Sequence, residues 1–277
     1  MSKARIDARF AALKAEGRAA FVAYVMAGDP DAATAAKILA GLPGAGADLI
    51  EVGFPFSDPV AEGPPIQRAA QRALANGMTL AGVFGQVRGF RTGDQATPII
   101  LMGYMNLLVT WGIEAFARDA AEAGVDGLIV VDCPPEEAGP LADALDAADV
   151  SLIRLATPTS DDARLATIVR RTSGFVYYVS VAGVTGVKEA DAAVVAPHVE
   201  RVRKASGLPV AVGFGIKTPE RAAEVARVAD AVVVGSALVD EIAQAVQMNE
   251  DVTRRVLLKA ESLAKAVRSA RVGLVTS

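Results

Sequence analysis

The sequence predicts a closed (β/α)8 barrel. Eight short runs rich in Val, Ile and Leu recur along the chain, each followed by a polar or Gly/Pro loop and then an Ala-rich helical pattern. Eight such units in 277 residues match the size of this barrel, about 250 residues. No GxGxxG turn follows the first run, as it would in a doubly wound dinucleotide-binding sheet. Composition agrees: 52% hydrophobic content with 5% aromatics requires a core of Ala, Val, Leu and Ile.

In chain order, residues 2–16 form an amphipathic helix with Ile6, Phe10 and Leu13 on one face, placed to plug the bottom of the barrel ahead of its first strand. The runs 21–26, 48–52, 98–102, 127–131, 151–155, 175–179, 209–213 and 231–235 read as the strands. Helical patterns lie near 31–41, 64–76, 79–91, 113–123, 135–148, 161–171, 188–206 and 218–228, and two more, 236–247 and 250–268, follow the last strand. Capping residues, proline and acids mark helix starts at Asp29-Pro30-Asp31, Thr159-Ser160-Asp161-Asp162 and Thr218-Pro219-Glu220. No linker or low-complexity tract divides the chain, so residues 1–277 are expected to form one domain.

Several function classes fall away on composition. With 28 Lys and Arg against 32 Asp and Glu and no basic stripe, the chain lacks the footprint that nucleic acid requires. One cysteine, Cys133, forms no intrachain disulfide, and with one histidine, His198, it supplies no Cys/His metal site. Charges interrupt every apolar run near the N-terminus, and the longest weakly charged stretch, 98–113, is shorter than the ~20 residues that span a bilayer. A soluble, cytoplasmic protein is expected.

Chemistry in this fold gathers on the loops after the strands. In the second strand, alternation turns Ile50 and Val52 outward to the helices and Leu49 and Glu51 inward. A carboxylate inside an aliphatic barrel is costly to ionise, so its pKa should rise into the range useful for proton transfer. The alternative is a structural acid paired with a buried Arg, Lys or Tyr. Near the C-terminus, Gly213-Phe214-Gly215 follows the seventh strand and Gly235-Ser236 opens a helix after the eighth, the usual place for a phosphate in such barrels; tight βα turns are the alternative. No strand carries a lysine, which argues against a Schiff-base aldolase. His198, mid-helix beside Pro197, reads as a surface residue, and Cys133 as a small buried filler. Two long Gly/Pro-rich loops, 53–65 and 181–188, have the composition of lids or contact surfaces. The first carries Asp58 and Glu62 and so can bring a second carboxylate over the pocket; a turn residue and a solvated acid are the alternatives for these two.

The run EVGFPFSDPVAEGPPIQ (51–67), with GDP (28–30), YVSVAGVTG (178–186), GFGI (213–216) and GSA (235–237), resembles the tryptophan synthase alpha subunit, in the same order and spacing from about residue 5 to about residue 268. The resemblance implies a lyase that cleaves indole-3-glycerol phosphate to indole and glyceraldehyde 3-phosphate by a retro-aldol reaction, without metal or organic cofactor. It also implies a beta subunit that holds pyridoxal phosphate, in an α2β2 heterotetramer. The family's catalytic glutamate falls on Glu51. Its second acid, normally aspartate, falls on Glu62, where ADGP reads AEGP and the extra methylene carries the carboxylate roughly 1.5 Å further out. Phosphate-binding positions carry over to Gly186, Gly215, Gly235 and Ser236, and Tyr177 matches the tyrosine that hydrogen-bonds the catalytic acid or the substrate. Tyr24, Met102, Ile129 and Asp132 match pocket-lining positions, with Phe and Leu common in the family at the first two, and Val181 stands where some relatives have arginine. Asp58 falls on the loop that meets the partner. Competing expectations are another phosphate-handling barrel, such as a sugar-phosphate isomerase or epimerase, and a mainly regulatory subunit.

Overall fold

The computed structural model describes residues 2–179, 192–213 and 215–272. Eight parallel strands close into a barrel in sequence order, β1 pairing with both β2 and β8. The strands are β1 Ala20–Met26, β2 Leu49–Gly53, β3 Ile99–Gly103, β4 Gly127–Val130, β5 Ser151–Ala156, β6 Val176–Val179, β7 Val210–Gly213 and β8 Ala231–Val234. Each lies within a residue or so of its expected position, because β-branched runs bounded by Asp, Gly or Pro leave little freedom at the ends. Helix α1 (Ser2–Ala15) precedes the barrel, and α2 (Ala32–Gly41) follows β1. Helices α3 (Pro64–Ala75) and α4 (Leu80–Arg91) follow β2, and α5 (Met105–Trp111) and α6 (Ile113–Ala123) follow β3. Next come α7 (Gly139–Ala147), α8 (Asp162–Val169), α9 (Ala192–Ser206) and α10 (Pro219–Val228), and α11 (Ser236–Met248) and α12 (Val252–Ser269) end the barrel.

Three sequence signals cap helices as expected: Asp31, Asp161 and Thr218 accept from the backbone N–H groups of Thr34, Arg164 and Arg221. Two elements differ from expectation. The helix expected over 135–148 starts only at Gly139, because Pro134 and Pro135 sit in the turn that precedes it. Helix α5 was not expected; its apolar residues continue the pattern of β3 without a break, and Asp132, just after the neighbouring β4, accepts from its first N–H (2.7 Å). Among the described residues no helix is long and apolar enough to cross a membrane.

Strand alternation divides the apolar residues in two. Inside the barrel, Val22, Leu49, Ile100, Ile129, Ile153, Phe175, Tyr177, Ala211, Ala231 and Val233 pack with Ile6, Phe10 and Leu13 of α1. Helix α1 therefore closes the bottom, with Phe10 against Phe175 at 5.7 Å between ring centroids. Outside, Ile50, Val52, Leu101 and Val212 pack under the helices. A polar ring reinforces the closed end. Asp48, Asp126 and Asp230, each the residue before an even-numbered strand, accept from the backbone N–H of Phe21, Ile99 and Val210 on the preceding strand. Arginines neutralise all three: Arg18 grips Asp48 with two bonds of 2.9 Å, Arg5 and Arg91 hold Asp126, and Arg203 holds Asp230. With one end tied shut in this way, the pocket opens at the other, where the strands end.

Candidate active site

Parallel register places Glu51 beside Tyr24 on one side and Ile100 on the other. Alternation points Glu51 inward, as expected, and leaves it 2% exposed above the aliphatic layer of Leu49 and Ile100. One carboxylate oxygen, Oε2, is buried without a hydrogen-bond partner among the described residues. Of the partners a structural acid would take, Arg and Lys are missing, since among the described residues no cation lies within ion-pair distance of Glu51, whereas a tyrosine, Tyr24, stands beside it. Burial, followed by the charge of Glu62, pushes its pKa up to about 8.

Glu62 arrives from the loop after β2. Phe54 begins that loop by donating to the carbonyl of Met102 (3.0 Å), its ring lying where a side chain on Gly103 would be, 2.0 Å from a Cβ placed there. Phe56 packs on Tyr104 at 5.1 Å between ring centroids. The backbone then turns back, with the N–H of Ala61 donating to the Tyr104 hydroxyl (2.9 Å) and the side-chain amide of Gln67 donating to the carbonyl of Glu62 (3.0 Å). Glu62 is half-buried, and burial pushes its carboxyl up to about 7. Asp58 lies on the outer side of the same loop, exposed and bonded by its neighbour Ser57, with Val60 beyond it 84% exposed. The loop thus presents one acid to the pocket and another to the outside.

Two tyrosines close the pocket wall. Tyr24 and Tyr177 are buried, and their phenols titrate well above the ordinary range, from burial and from the charges of Glu51 and Glu62. Neighbouring glycines make room for them. A Cβ at Gly53 would lie 2.2 Å from the Tyr24 hydroxyl oxygen, and one at Gly213 would lie 2.0 Å from that of Tyr177. Ile129 is fully buried in the interior layer and Met102, half-buried, lies above it toward the opening. Asp132 departs from the pocket-lining expectation: it is exposed on the rim, where its carboxylate caps α5.

Across from β2, Gly213 ends β7, and Gly215 has φ +74°, the left-handed region that favours glycine, with open space where a Cβ would point. Gly235 is the N-cap of α11 and Ser236 its first residue, and no side chain caps that end. The first-turn N–H groups and positive end of a 13-residue helix are therefore directed to the barrel mouth, an arrangement suited to a phosphate. Gly186 and Val181 lie outside the described residues.

Cys133 is a half-buried free thiol, and burial raises its pKa, so it packs rather than reacts. His198 corrects an expectation. It is half-buried, its ring stacked on Tyr178 at 5.9 Å between centroids and 17° between planes, on the outer side of the barrel wall. Among the described residues no three His, Cys, Asp or Glu side chains converge on a point that would hold a metal. Sequence reasoning assigned no role to Tyr104 or Gln67, which clamp the backbone on either side of Glu62; the one available signal was an aromatic directly after the glycine that ends β3.

Fold and site together are those of a (β/α)8-barrel enzyme, with two acids of raised pKa at the barrel mouth and an open helix N-terminus across from them. The family profile described as tryptophan synthase alpha chain matches residues 10–268, and the chain belongs to that family. It is 82% identical over 271 residues to the tryptophan synthase alpha chain of Phenylobacterium zucineum (strain HLK1), covering 98% of each protein. To that of Caulobacter sp. (strain K31) it is 73% identical over 274 residues, covering 99% of this chain and 100% of the other. Among solved structures, tryptophan synthase subunit alpha from Legionella pneumophila str. Paris superposes with a TM-score of 0.89 at 40% identity, over 95% of this chain and 98% of that one. A chain of Mycobacterium tuberculosis tryptophan synthase gives a TM-score of 0.86 at 35% identity, over 95% and 98%. Family membership decides against the sugar-phosphate isomerase or epimerase reading and the mainly regulatory one.

Proposed function

We propose that Glu51 and Glu62 carry the reaction of this lyase, the cleavage of indole-3-glycerol phosphate to indole and glyceraldehyde 3-phosphate. The observation that supports the assignment is Glu51 itself, a fully buried carboxyl with a free oxygen, beside Tyr24 and under the charge of a second acid. With a pKa near 8 it holds its proton at neutral pH and can deliver it to C3 of the indole ring. The resulting carboxylate then takes the proton of the glycerol hydroxyl next to the ring. The C–O bond becomes a carbonyl, the carbon–carbon bond breaks, and its electron pair returns to the indole. Glu62, once ionised, accepts the ring N–H and stabilises the positive charge that builds there. Tyr24, Met102, Ile129 and Tyr177 form the wall for the ring, and Gly186, Gly215, Gly235 and Ser236 take the phosphate. Each placed acid–base step contributes about 10²- to 10⁴-fold, so phosphate anchoring and ring positioning supply the remainder.

This chemistry needs no cofactor in the chain. Pyridoxal phosphate belongs to a beta subunit that receives the indole, and the expected assembly is an α2β2 heterotetramer. The outward-facing Asp58 and the exposed Val60 of the loop that carries Glu62 are placed to meet that partner. The whole chain is taken to act as one barrel domain, since α12 packs on β1 and α2 and so ties its last helix to its first elements. With a single cysteine and no disulfide to form, a reducing cytoplasmic setting suits it.

The test is release of indole from indole-3-glycerol phosphate by the purified chain, with and without a beta subunit, beside Glu51→Gln. Wild type releases indole and gains rate with the partner. Glu51→Gln loses turnover while substrate affinity is nearly kept, and a comparable kcat in that variant overturns the assignment.

A further inference from the structure

A second cleft lies at the closed end of the barrel, away from the carboxylates. Its accessible volume is about 380 Å³, within the range of small-molecule sites, and it opens between α1, the C-terminal end of α9 and the residues that follow α12. Phe10 and Leu13, the residues with which α1 plugs the barrel, form part of its floor together with the half-buried Leu208 and Pro209. Around this apolar floor stand Lys14, Arg18, Arg203 and Arg271 against one carboxylate, Asp230, on a chain whose net charge is −4.

Two of the four cations are already committed. Arg18 is bound to Asp48 and Glu16, and Arg203 to Asp230 and Glu200. Asp230 itself is taken up by Arg203 and by the backbone N–H of Val210. Lys14 and Arg271 have no carboxylate within ion-pair distance among the described residues. Among the described residues Arg271 donates only to backbone carbonyls, Ala226 through Nε (2.8 Å) and Ala229 through Nη2 (2.6 Å), which fixes its guanidinium at the cleft. The charge of Asp230 acts on Arg271 as well and offsets part of it, but four cations against one carboxylate leave the cleft a net positive field, which a cavity wall of low dielectric strengthens.

We propose that this cleft binds a small amphipathic anion, a carboxylate or phosphate ester on an aromatic or aliphatic body, with the anionic group between Lys14 and Arg271 and the body on Phe10, Leu13, Leu208 and Pro209. The site is independent of the lyase reading, because it shares no residue with the pocket of Glu51. Occupancy ties α1 to the end of α12 and so stabilises the plugged end of the barrel by mass action.

Calorimetric titration of the full chain with 4-phenylbutyrate, its neutral isostere 4-phenylbutanol and phenyl phosphate tests the proposal. Saturable binding of the carboxylate, at least tenfold weaker binding of the alcohol, and a further loss of about tenfold in each of Lys14→Gln and Arg271→Gln are expected, a charge-assisted hydrogen bond being of that size. Phenyl phosphate distinguishes the source of the anion: phosphate esters are preferred if it outbinds the carboxylate, and carboxylates if it does not. Lys14 is exposed and bonded to nothing that folding needs, so its variant keeps the test valid if Arg271→Gln is poorly folded. No saturable heat, equal binding of the alcohol, or undiminished binding in both variants, which would place the anion in the catalytic pocket, overturns the proposal.

Discussion

Replacing Glu51 with glutamine removes an acid whose ionisation the barrel resists, so the variant is expected to gain stability with rising pH where it loses activity. In the unfolded chain Glu51 titrates near 4.5, and in the folded barrel near 8. Below pH 4.5 both states are protonated and the side chain adds no pH dependence. Between 4.5 and 8 the unfolded state has released a proton that the folded state still binds, so stability falls by about 1.4 kcal/mol per pH unit. Above pH 8 the loss is complete, about 5 kcal/mol in all. Glutamine does not titrate and escapes this slope. Taking about 2.1 cal/mol/K of unfolding entropy per residue, the Tm of Glu51→Gln relative to wild type should rise by about 8 °C between pH 4.5 and pH 8 and stay level to pH 9. Circular dichroism melts of both proteins at pH 5, 6, 7, 8 and 9 measure that difference. Parallel Tm profiles, or a wild type that gains on the variant as the pH rises, would refute the claim that burial keeps Glu51 protonated.

The roles proposed for the same two acids predict the rate profile. kcat/KM should rise through about pH 7 as Glu62 ionises and fall through about pH 8 as Glu51 loses its proton, a bell whose apparent values belong to the pair. In Glu62→Gln the rising limb should vanish and the falling limb move to lower pH, since the charge of Glu62 raises Glu51; an unmoved limb counts against the coupling. Gly53→Ala places a Cβ 2.2 Å from the Tyr24 hydroxyl oxygen, but 2.9 Å from the ring carbon behind it. The ring carbon is itself too near, so a Tyr24→Phe background should relieve only part of the loss in kcat/KM, and equal losses in the double-mutant cycle would show that the hydroxyl is not the obstacle. Arg91→Ala leaves the buried Asp126 with Arg5 alone and takes donors from three backbone carbonyls. A loss of about 3–5 kcal/mol in denaturant melts, with kcat/KM at 25 °C unchanged, is expected, and an active-site role for this end of the barrel would instead lower kcat/KM.

The barrel was legible because each strand is a compact β-branched run whose bounding Asp, Gly or Pro residues fix where it can start and stop. Glu51 was legible for a related reason: an inward position in a strand is settled by parity alone, and a charge there has few explanations. Helix α5 was not, since Met105, Leu107 and Leu108 continue the apolar texture of β3 and the residue that caps it, Asp132, comes from the loop after the next strand, β4. The clamps on Glu62 were hidden because Tyr104 and Gln67 meet the loop only after it folds back, a contact no periodicity encodes. His198 was misplaced on the surface because sequence gives the period of a helix but not its rotation about its own axis, and that rotation lays the imidazole on Tyr178.

The difference between the structural acids of this barrel and the one proposed to be catalytic is a missing guanidinium. Four carboxylates are fully buried among the described residues: Asp29, Asp48, Glu51 and Asp126. Arg72 meets Asp29 with two bonds of 2.7 and 2.8 Å, Arg18 grips Asp48, and Arg5 and Arg91 share Asp126, so three of the four bring their counter-charge with them. Glu51 has none, and the nearest charge it feels is another carboxylate, that of Glu62. An arginine in that place would hold Glu51 ionised, remove its pH-dependent instability, and leave it without a proton for the indole ring at neutral pH. The instability of the ionised form and the capacity to deliver a proton therefore have one cause, the unpaired burial of a single side chain, and neither can be removed by adding a cation without losing the other.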